Sequence, residues 1–337
     1  EQFFKRNIFV RSFNLAAEKY NENKIDESSE VILKGVKDLN EVNFNTDRYE
    51  YLYRGFDRRL FERQITQTDN DFIVPTGIPR LDRMIGGGLR SGELGLVIGD
   101  SKGGKSTCLR YFGLSAVRRY FPVLHIQLED TKNKVVMLYD SALLKVNYHD
   151  IKLNNIPEAE VKKILAEAKT RKNKDLIISA FTDWESATIR DISDAWDDLY
   201  FNKGIYCQSV IVDYGDLMRP RFVTNEMRRD MTSILRDLKT FAMIKNVAVW
   251  TATQTGRNID TEDEDFVITG KDVSEDYNKV RVSDLAITIN ASSREMSKNK
   301  CRIYVCPGRL VKGGSIIRIS QDLNHGLFFV NKKNITA

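Results

Sequence analysis

The stretch Gly99-Asp-Ser-Lys-Gly-Gly-Lys-Ser106 has the spacing G-x-x-x-x-G-K-S. Residues of these types in this order hold the phosphates of a nucleotide. Gly99, Gly103 and Gly104 let backbone N–H groups turn inward around phosphate oxygens. Lys105 is placed to reach the β- and γ-phosphates, Ser106 to offer a hydroxyl to Mg²⁺, and Thr107 follows in the first helical turn. The motif needs a strand before it and a helix after it. The apolar run Leu94–Ile98 predicts the strand, and Thr107 to Tyr120 predicts the helix. A plain glycine-rich turn is the alternative, and both flanks argue against it. A nucleoside triphosphate with Mg²⁺ is therefore the predicted ligand.

Ligands of an open parallel sheet bind at the carboxyl ends of its strands, so residues leaving each strand are the next candidates. Val123–Leu128 ends in Glu129 and Asp130. Glu129 is read as the base that orients or deprotonates the attacking water, and Asp130 as a helix cap. Ser209–Val212 ends in Asp213, which would hold Mg²⁺ beside Ser106. Val247–Thr253 ends in Gln254, either a sensor of the γ-phosphate or a polar residue leaving a strand. The tail carries Cys306-Pro-Gly-Arg309-Leu-Val-Lys312-Gly-Gly. Its two cations are either a solvated hairpin turn or a source of charge for a neighbouring subunit's site.

The elements that must position these residues alternate. Candidate strands at Val123–Leu128, Leu176–Phe181, Ser209–Asp213, Val247–Thr253 and Leu285–Asn290 are interleaved with candidate helices at Glu158–Lys169, Ile189–Tyr200 and Glu226–Lys245. This pattern predicts an α/β fold with a mainly parallel central sheet. Three further strands, Arg302–Val305, Ser315–Ser320 and Gly326–Val330, read as an antiparallel carboxyl-terminal edge. Residues 1–70 form a separate helical segment, with helices over about 1–21 and 27–39, the second capped by Asp26 or Ser28. Its apolar faces either pack on the same chain's main domain, 71–337, or dock on a neighbouring subunit.

The 337 residues suffice for one large core or two domains. No apolar run approaches the roughly 18 residues of a membrane span, so no membrane partner is expected. Cys108, Cys207, Cys301 and Cys306 are scattered without metal spacing, which favours a reduced, cytoplasmic compartment over zinc. A net charge of +5 permits a nucleic-acid partner without requiring one. The chain opens on Glu1 without a methionine, so a preceding segment is expected.

The order Pro75-Thr-Gly77, Leu81-Asp82, the P-loop, Gln127-Leu-Glu129, Asp213-Tyr214, Gln254 and Asp284 resembles the RecA-like motor domain of DnaB-family replicative helicases, the phage branch in particular. The resemblance runs from about Val74 to Val330. It implies a ring of six, ATP sites between subunits, single-stranded DNA through the centre, 5′ to 3′ movement, and primase and helicase-loader partners in a bacterial host. Residues 1–70 then correspond to the family's linker. Lys105, Ser106, Glu129, Asp213 and Gln254 keep the family's types. Arg309 falls where the arginine finger is expected, without the lysine two positions before it, and Lys312 is a possible substitute. The resemblance also implies a DNA-facing loop before Asp284, with Glu275, Tyr277, Lys279 and Arg281, and a second after Asp213, with Arg219 and Arg221. A RecA/RadA-like recombinase or regulatory ATPase and a nucleotide-gated loader are the rival readings.

Overall fold

The computed structural model describes residues 2–41, 72–100, 103–171, 173–181, 187–224, 226–255, 267–269, 277–311 and 314–331. The chain divides into two compact units, Glu1–Gln67 and Thr68–Ala337.

The first unit contains a helical hairpin, α1 (Gln2–Asn21) and α2 (Ile25–Glu41). Small residues set how closely its helices approach. Ser28 Oγ donates to the Ala16 carbonyl at 2.8 Å, and a Cβ on Gly35 would meet Ser12 Oγ at 2.4 Å. Ser28 is therefore spent on the partner helix and does not cap α2, which begins at Ile25. The larger apolar side chains Phe13, Tyr20, Ile32 and Val36 stay exposed.

The second unit opens with a two-stranded antiparallel ribbon, β1 (Ile73–Val74) and β2 (Leu89–Arg90), around helix α3 (Pro79–Met84). The main strands follow as β3 (Leu94–Gly99), β4 (Val123–Gln127), β5 (Leu176–Ala180), β6 (Ser209–Asp213), β7 (Ala248–Gln254), β8 (Leu285–Asn290), β9 (Lys300–Val305) and β10 (Ser315–Ser320). They form one sheet in the order β10-β9-β8-β3-β7-β6-β4-β5. Pairing is parallel from β8 to β5 and antiparallel across β8-β9-β10. The helices are α4 (Lys105–Arg118), α5 (Lys132–Leu144), α6 (Tyr148–Lys152), α7 (Glu158–Arg171), α8 (Ile189–Asp197), α9 (Met227–Lys245), α10 (Tyr277–Val282) and α11 (Ser293–Met296).

β3 is apolar at nearly every position because both faces of the sheet are covered, and all its residues are buried. On one face Val97, Ile211, Trp250 and Ile287 pack with Cys108, Leu109 and Phe112 of α4. On the other, Leu96, Ile98, Val210 and Val249 pack with Ile192 and Trp196 of α8 and Leu235, Leu238 and Phe241 of α9.

One expected strand is absent. Residues 326–330 make only a single bridge, Asp322 to Leu327, around the short 3₁₀ turn Leu323–His325. Gly326, at φ +64°, reverses the chain at once, and Phe328 then drives fully into the core rather than alternating along an edge. α8 ends sooner than its pattern suggests, and a π turn at Asp198–Asn202 carries the chain onward.

Gly95 lies under Trp250, where a Cβ would come within 2.4 Å of the indole, itself packed on Phe112 with ring centroids 4.6 Å apart. Gly95→Ala should therefore destabilise the second unit by about 1–3 kcal/mol, the usual cost of overpacking. Urea unfolding measures it, and an unchanged midpoint would show that Trp250 has room to move.

Candidate functional site

β3, β7 and β6 lie side by side, with Gly99 opposite Gln254 and Val212 opposite Thr251, so β3 and β7 finish level and β6 stops two residues earlier. Their carboxyl ends therefore bring the P-loop, Gln254 and Asp213 to one edge of the sheet. Gly104 precedes α4 at φ +85°, a left-handed conformation that glycine adopts without cost. A Cβ on Gly103 would stand 3.0 Å from the Asp100 carbonyl, to which the Gly103 N–H donates at 3.0 Å, so the loop is closed on itself here. Residues 101 and 102 lie outside the described residues.

Lys105 is buried, and its Nζ donates to the carbonyls of Gly99 at 3.1 Å and Asp100 at 2.8 Å. Burial lowers its pKa, and the carboxylates of Asp216, Asp100, Asp213 and Glu129 pull the other way. Ser106 Oγ donates to Asp213 Oδ1 at 2.9 Å. The two halves predicted for the metal site thus meet, although 107 positions separate them in the chain. Thr107 Oγ1 accepts from Arg110 Nη2 at 3.1 Å, one turn on in α4.

Asp213 is fully buried, and its Oδ2 has no hydrogen-bond partner. Burial pushes its carboxyl up to about 6, against the charge of Arg110 and the bond from Ser106. Below it stands a group that the sequence reading passed over. His125 is fully buried, its Nδ1 is 2.7 Å from Tyr139 OH, and its partnerless Nε2 lies 4.0 Å from Asp213 Oδ2. Burial, with the nearby Arg110 charge, takes the imidazole down to about 3, so it is neutral. The signal was present in the sequence: His125 and Gln127 are polar at alternate positions of an otherwise apolar strand, and they share one face.

Glu129 leaves β4 exposed, close enough to raise the pKa of Asp213 and Tyr214 by its charge. Asp130 is not the cap of α5. Thr131 takes that position, accepting from the Lys134 amide at 3.4 Å, while Asp130 pairs with Lys134 Nζ at 2.5 Å one helical turn on. Gln254 Nε2 donates to Tyr214 OH at 3.1 Å, and its backbone N–H donates to Asp216 Oδ2 at 3.0 Å.

Arg309 lies elsewhere. Its Nη1 donates to Asp284 Oδ1 at 3.2 Å, and Asp284 Oδ2 accepts from Lys239 Nζ and from the Leu94 amide. Leu94 and Asp284 stand at the amino ends of β3 and β8, so Arg309 sits at the edge of the sheet opposite its own P-loop. Its side chain is 64% exposed, and so is open to another molecule.

Of the expected DNA contacts, Arg219 and Arg281 are exposed, and Arg221 pairs with Asp237 at 3.1 Å. Tyr277 opens α10. Glu275 and Lys312 lie outside the described residues. Lys279 does not face solvent. It is 6% exposed, and its Nζ is engaged by Thr253 and Met231, because α10 turns this position inward against α9 and the end of β7.

The site fits Mg-nucleotide. Gly104 opens α4 in a left-handed turn, so the helix's amino end and the Lys105 ammonium suit phosphate, and Asp213 Oδ2 is a buried oxygen that lacks a partner. No group of three or more His, Cys, Asp or Glu with metal-binding geometry occurs among the described residues. One hydroxyl and one carboxylate are a donor set that Mg²⁺ completes with phosphates and water. No helix among the described residues is long and apolar enough to cross a membrane.

The family model of the DnaB-like helicase C-terminal domain matches residues 73–267. Among solved structures, the chain is similar to the ATPase domain of a phage-type DnaB-like helicase at 18% identity, with a TM-score of 0.69 over 84% of this chain and 100% of that one. It is also similar to a DnaB-like replicative helicase whose interactions with primase have been described, at 16% identity and a TM-score of 0.70 over 97% of this chain and 76% of that one. At these identities the structures establish a shared fold. None of the curated proteins compared with the chain matches it.

The raised carboxyl of Asp213 has a consequence for stability. Because its folded value lies above its unfolded one, folding favours the protonated form. That contribution is complete below the unfolded value near about 4 and is lost as pH rises through about 6. Asp213→Asn should then unfold at higher urea than the parent at about pH 7.5, by on the order of 1–3 kcal/mol, and the gap should narrow below about pH 6 and close below about pH 4. An Asn variant no more stable than the parent at the higher pH would contradict the assignment.

Proposed function

The chain belongs to the DnaB-like helicases, ATP-driven replicative DNA helicases, through their C-terminal domain, and from that premise we propose how its residues carry out the cycle. The observation that carries the reading is the Ser106–Asp213 hydrogen bond at the carboxyl ends of β3 and β6. ATP binds with its phosphates in the loop Gly99–Thr107. The backbone N–H of Gly104, that of Gly103 once it releases the Asp100 carbonyl, and the ammonium of Lys105 meet the phosphate charge. Ser106 and Asp213 hold Mg²⁺, which when bound neutralises charge developing on the phosphate oxygens.

Glu129 stands free at the end of β4, unlike Asp130, and accepts the proton of the attacking water. Gln254 carries the state of the γ-phosphate to Tyr214 and Asp216, to which it is already bonded. Arg309 acts on a different copy of the chain. Its place at the opposite edge of the sheet from its own P-loop supports this, since a subunit cannot bring both to one phosphate. It releases Asp284, which keeps Lys239, and stabilises transition-state charge at the neighbour's site. Repetition of that contact closes a ring, for which we propose six copies.

Single-stranded DNA passes through the ring and is held at its phosphates by Arg219, Arg221 and Arg281. Arg221 exchanges Asp237 for phosphate when DNA enters. Movement is 5′ to 3′. A primase is the partner we propose first, because a structural neighbour of this fold interacts with one.

Lys105→Ala should abolish ATP hydrolysis. Arg309→Ala should lower turnover by roughly 10³-fold or more while leaving ATP affinity within about threefold. Mixing Arg309→Ala with Glu129→Ala chains should restore part of the turnover, because some interfaces then carry both intact groups. Mixed assemblies with no recovery would contradict the trans assignment. On tailed forks the parent chain should displace the strand only when the loading strand has a free 5′ tail. Brisk DNA-stimulated hydrolysis without displacement on either fork would favour a recombinase or loader instead.

A further inference from the structure

Lys279 lost its expected DNA role because its ammonium is buried, and what surrounds it suggests another. Its Nζ donates to Thr253 Oγ1 at 2.8 Å, meets Met231 Sδ at 3.1 Å and lies 3.6 Å from Asp216 Oδ1. Thr253 Oγ1 donates in turn to both Asp216 oxygens, at 2.9 and 2.7 Å. The same carboxylate accepts the backbone N–H of Gln254 at 3.0 Å, and its charge acts on Lys105 of the P-loop. One carboxylate therefore joins three elements: the turn after β6, the end of β7 and, through Lys279, α10.

Packing alone does not call for a lysine here. A buried ammonium is costly unless it is paired, and a methionine of similar length beside Met231 would fill the space without that cost. What a paired charge adds is direction. The ammonium is satisfied only when α10 sits at one height against Thr253 and Asp216, whereas an apolar contact tolerates sliding. Thr253 is the residue immediately before Gln254, so any shift of the strand end moves the acceptor of Lys279.

We propose that Lys279 is a positioning residue that clamps α10 to the end of β7 through Thr253 and Asp216, so that the state of Gln254 is transmitted to α10 and its exposed Arg281. This rests on Gln254 sensing the γ-phosphate, as argued above. The clamp makes α10 move with the nucleotide site rather than independently of it.

Amide hydrogen exchange over residues 277–282 tests it without DNA. In the parent chain, a non-hydrolysable ATP analogue with Mg²⁺ should change exchange in α10 relative to ADP. Lys279→Met should bind both nucleotides within about threefold of the parent yet lose at least about four-fifths of that difference, and Lys279→Arg should restore at least half of it. If Lys279→Met does not fold, Asp216→Asn, which keeps the shape and removes the charge, should give the same loss. The proposal is overturned if the parent shows no nucleotide-dependent change in α10. It is also overturned if the neutral variants respond within about twofold of the parent, or if arginine rescues no better than methionine. Strand displacement is read separately, so a chain that fails to unwind DNA but keeps the clamp response would sink the helicase cycle and not this inference.

Discussion

A single hydrogen bond, from Ser106 Oγ to Asp213 Oδ1, sets what the rest of the motor unit must do. Its partners come from different strand ends and lie far apart in sequence. They meet only if β3, β7 and β6 run parallel, side by side, in this register, with β6 ending two residues short of the other two. Register is the sensitive quantity. A slip of one residue in β6 would turn Asp213 to the other face and break its bond to Ser106. The apolar content of these strands serves that alignment. Two cores, one on each face of the sheet, hold the strands at fixed height so that the polar residues at their ends are placed within hydrogen-bonding distance.

The electrostatics of the site run against stability. Asp213, Lys105 and His125 are buried, and burial shifts each toward its neutral form. Two polar atoms that face one another, Asp213 Oδ2 and His125 Nε2, have no partners. Such a cluster costs stability on its own, and the proposed Mg²⁺ and phosphates would supply the charges that Asp213 and Lys105 lack. At the opposite edge of the sheet, Asp284 gathers Lys239, Arg309 and the Leu94 amide. The two edges are complementary: one holds buried groups that await a ligand, the other an arginine largely open to solvent.

Much of this was legible in the sequence, for definite reasons. The P-loop has a fixed spacing because backbone geometry around phosphate is fixed, so Gly99 to Ser106 could be read directly. The parallel strands could be read because burial on both faces demands continuous apolar runs. Asp213 and Gln254 followed from where such strands end. Side-chain direction was much harder to read. Lys279 looked like a surface cation because a short helix after a polar stretch gives little periodicity from which to judge its inward face. Ser28 looked like a cap, and its bond to Ala16 depends on a second helix whose approach is set by Gly35 and Ser12. The bulky residues of 326–330 suggested a strand, but the reversal at Gly326 and the burial of Phe328 are tertiary outcomes. His125 was visible as a polar residue in an apolar strand, yet only the fold puts it beneath Asp213.

The central claim is that Ser106 and Asp213 form one metal-dependent nucleotide site. Titration calorimetry of ATP into the parent chain and into Ser106→Ala, each with and without Mg²⁺, tests it most directly. The account predicts that Mg²⁺ strengthens ATP binding to the parent by at least about tenfold and that Ser106→Ala loses most of this gain while still binding metal-free ATP. Equal dependence on Mg²⁺ in the two chains would contradict it.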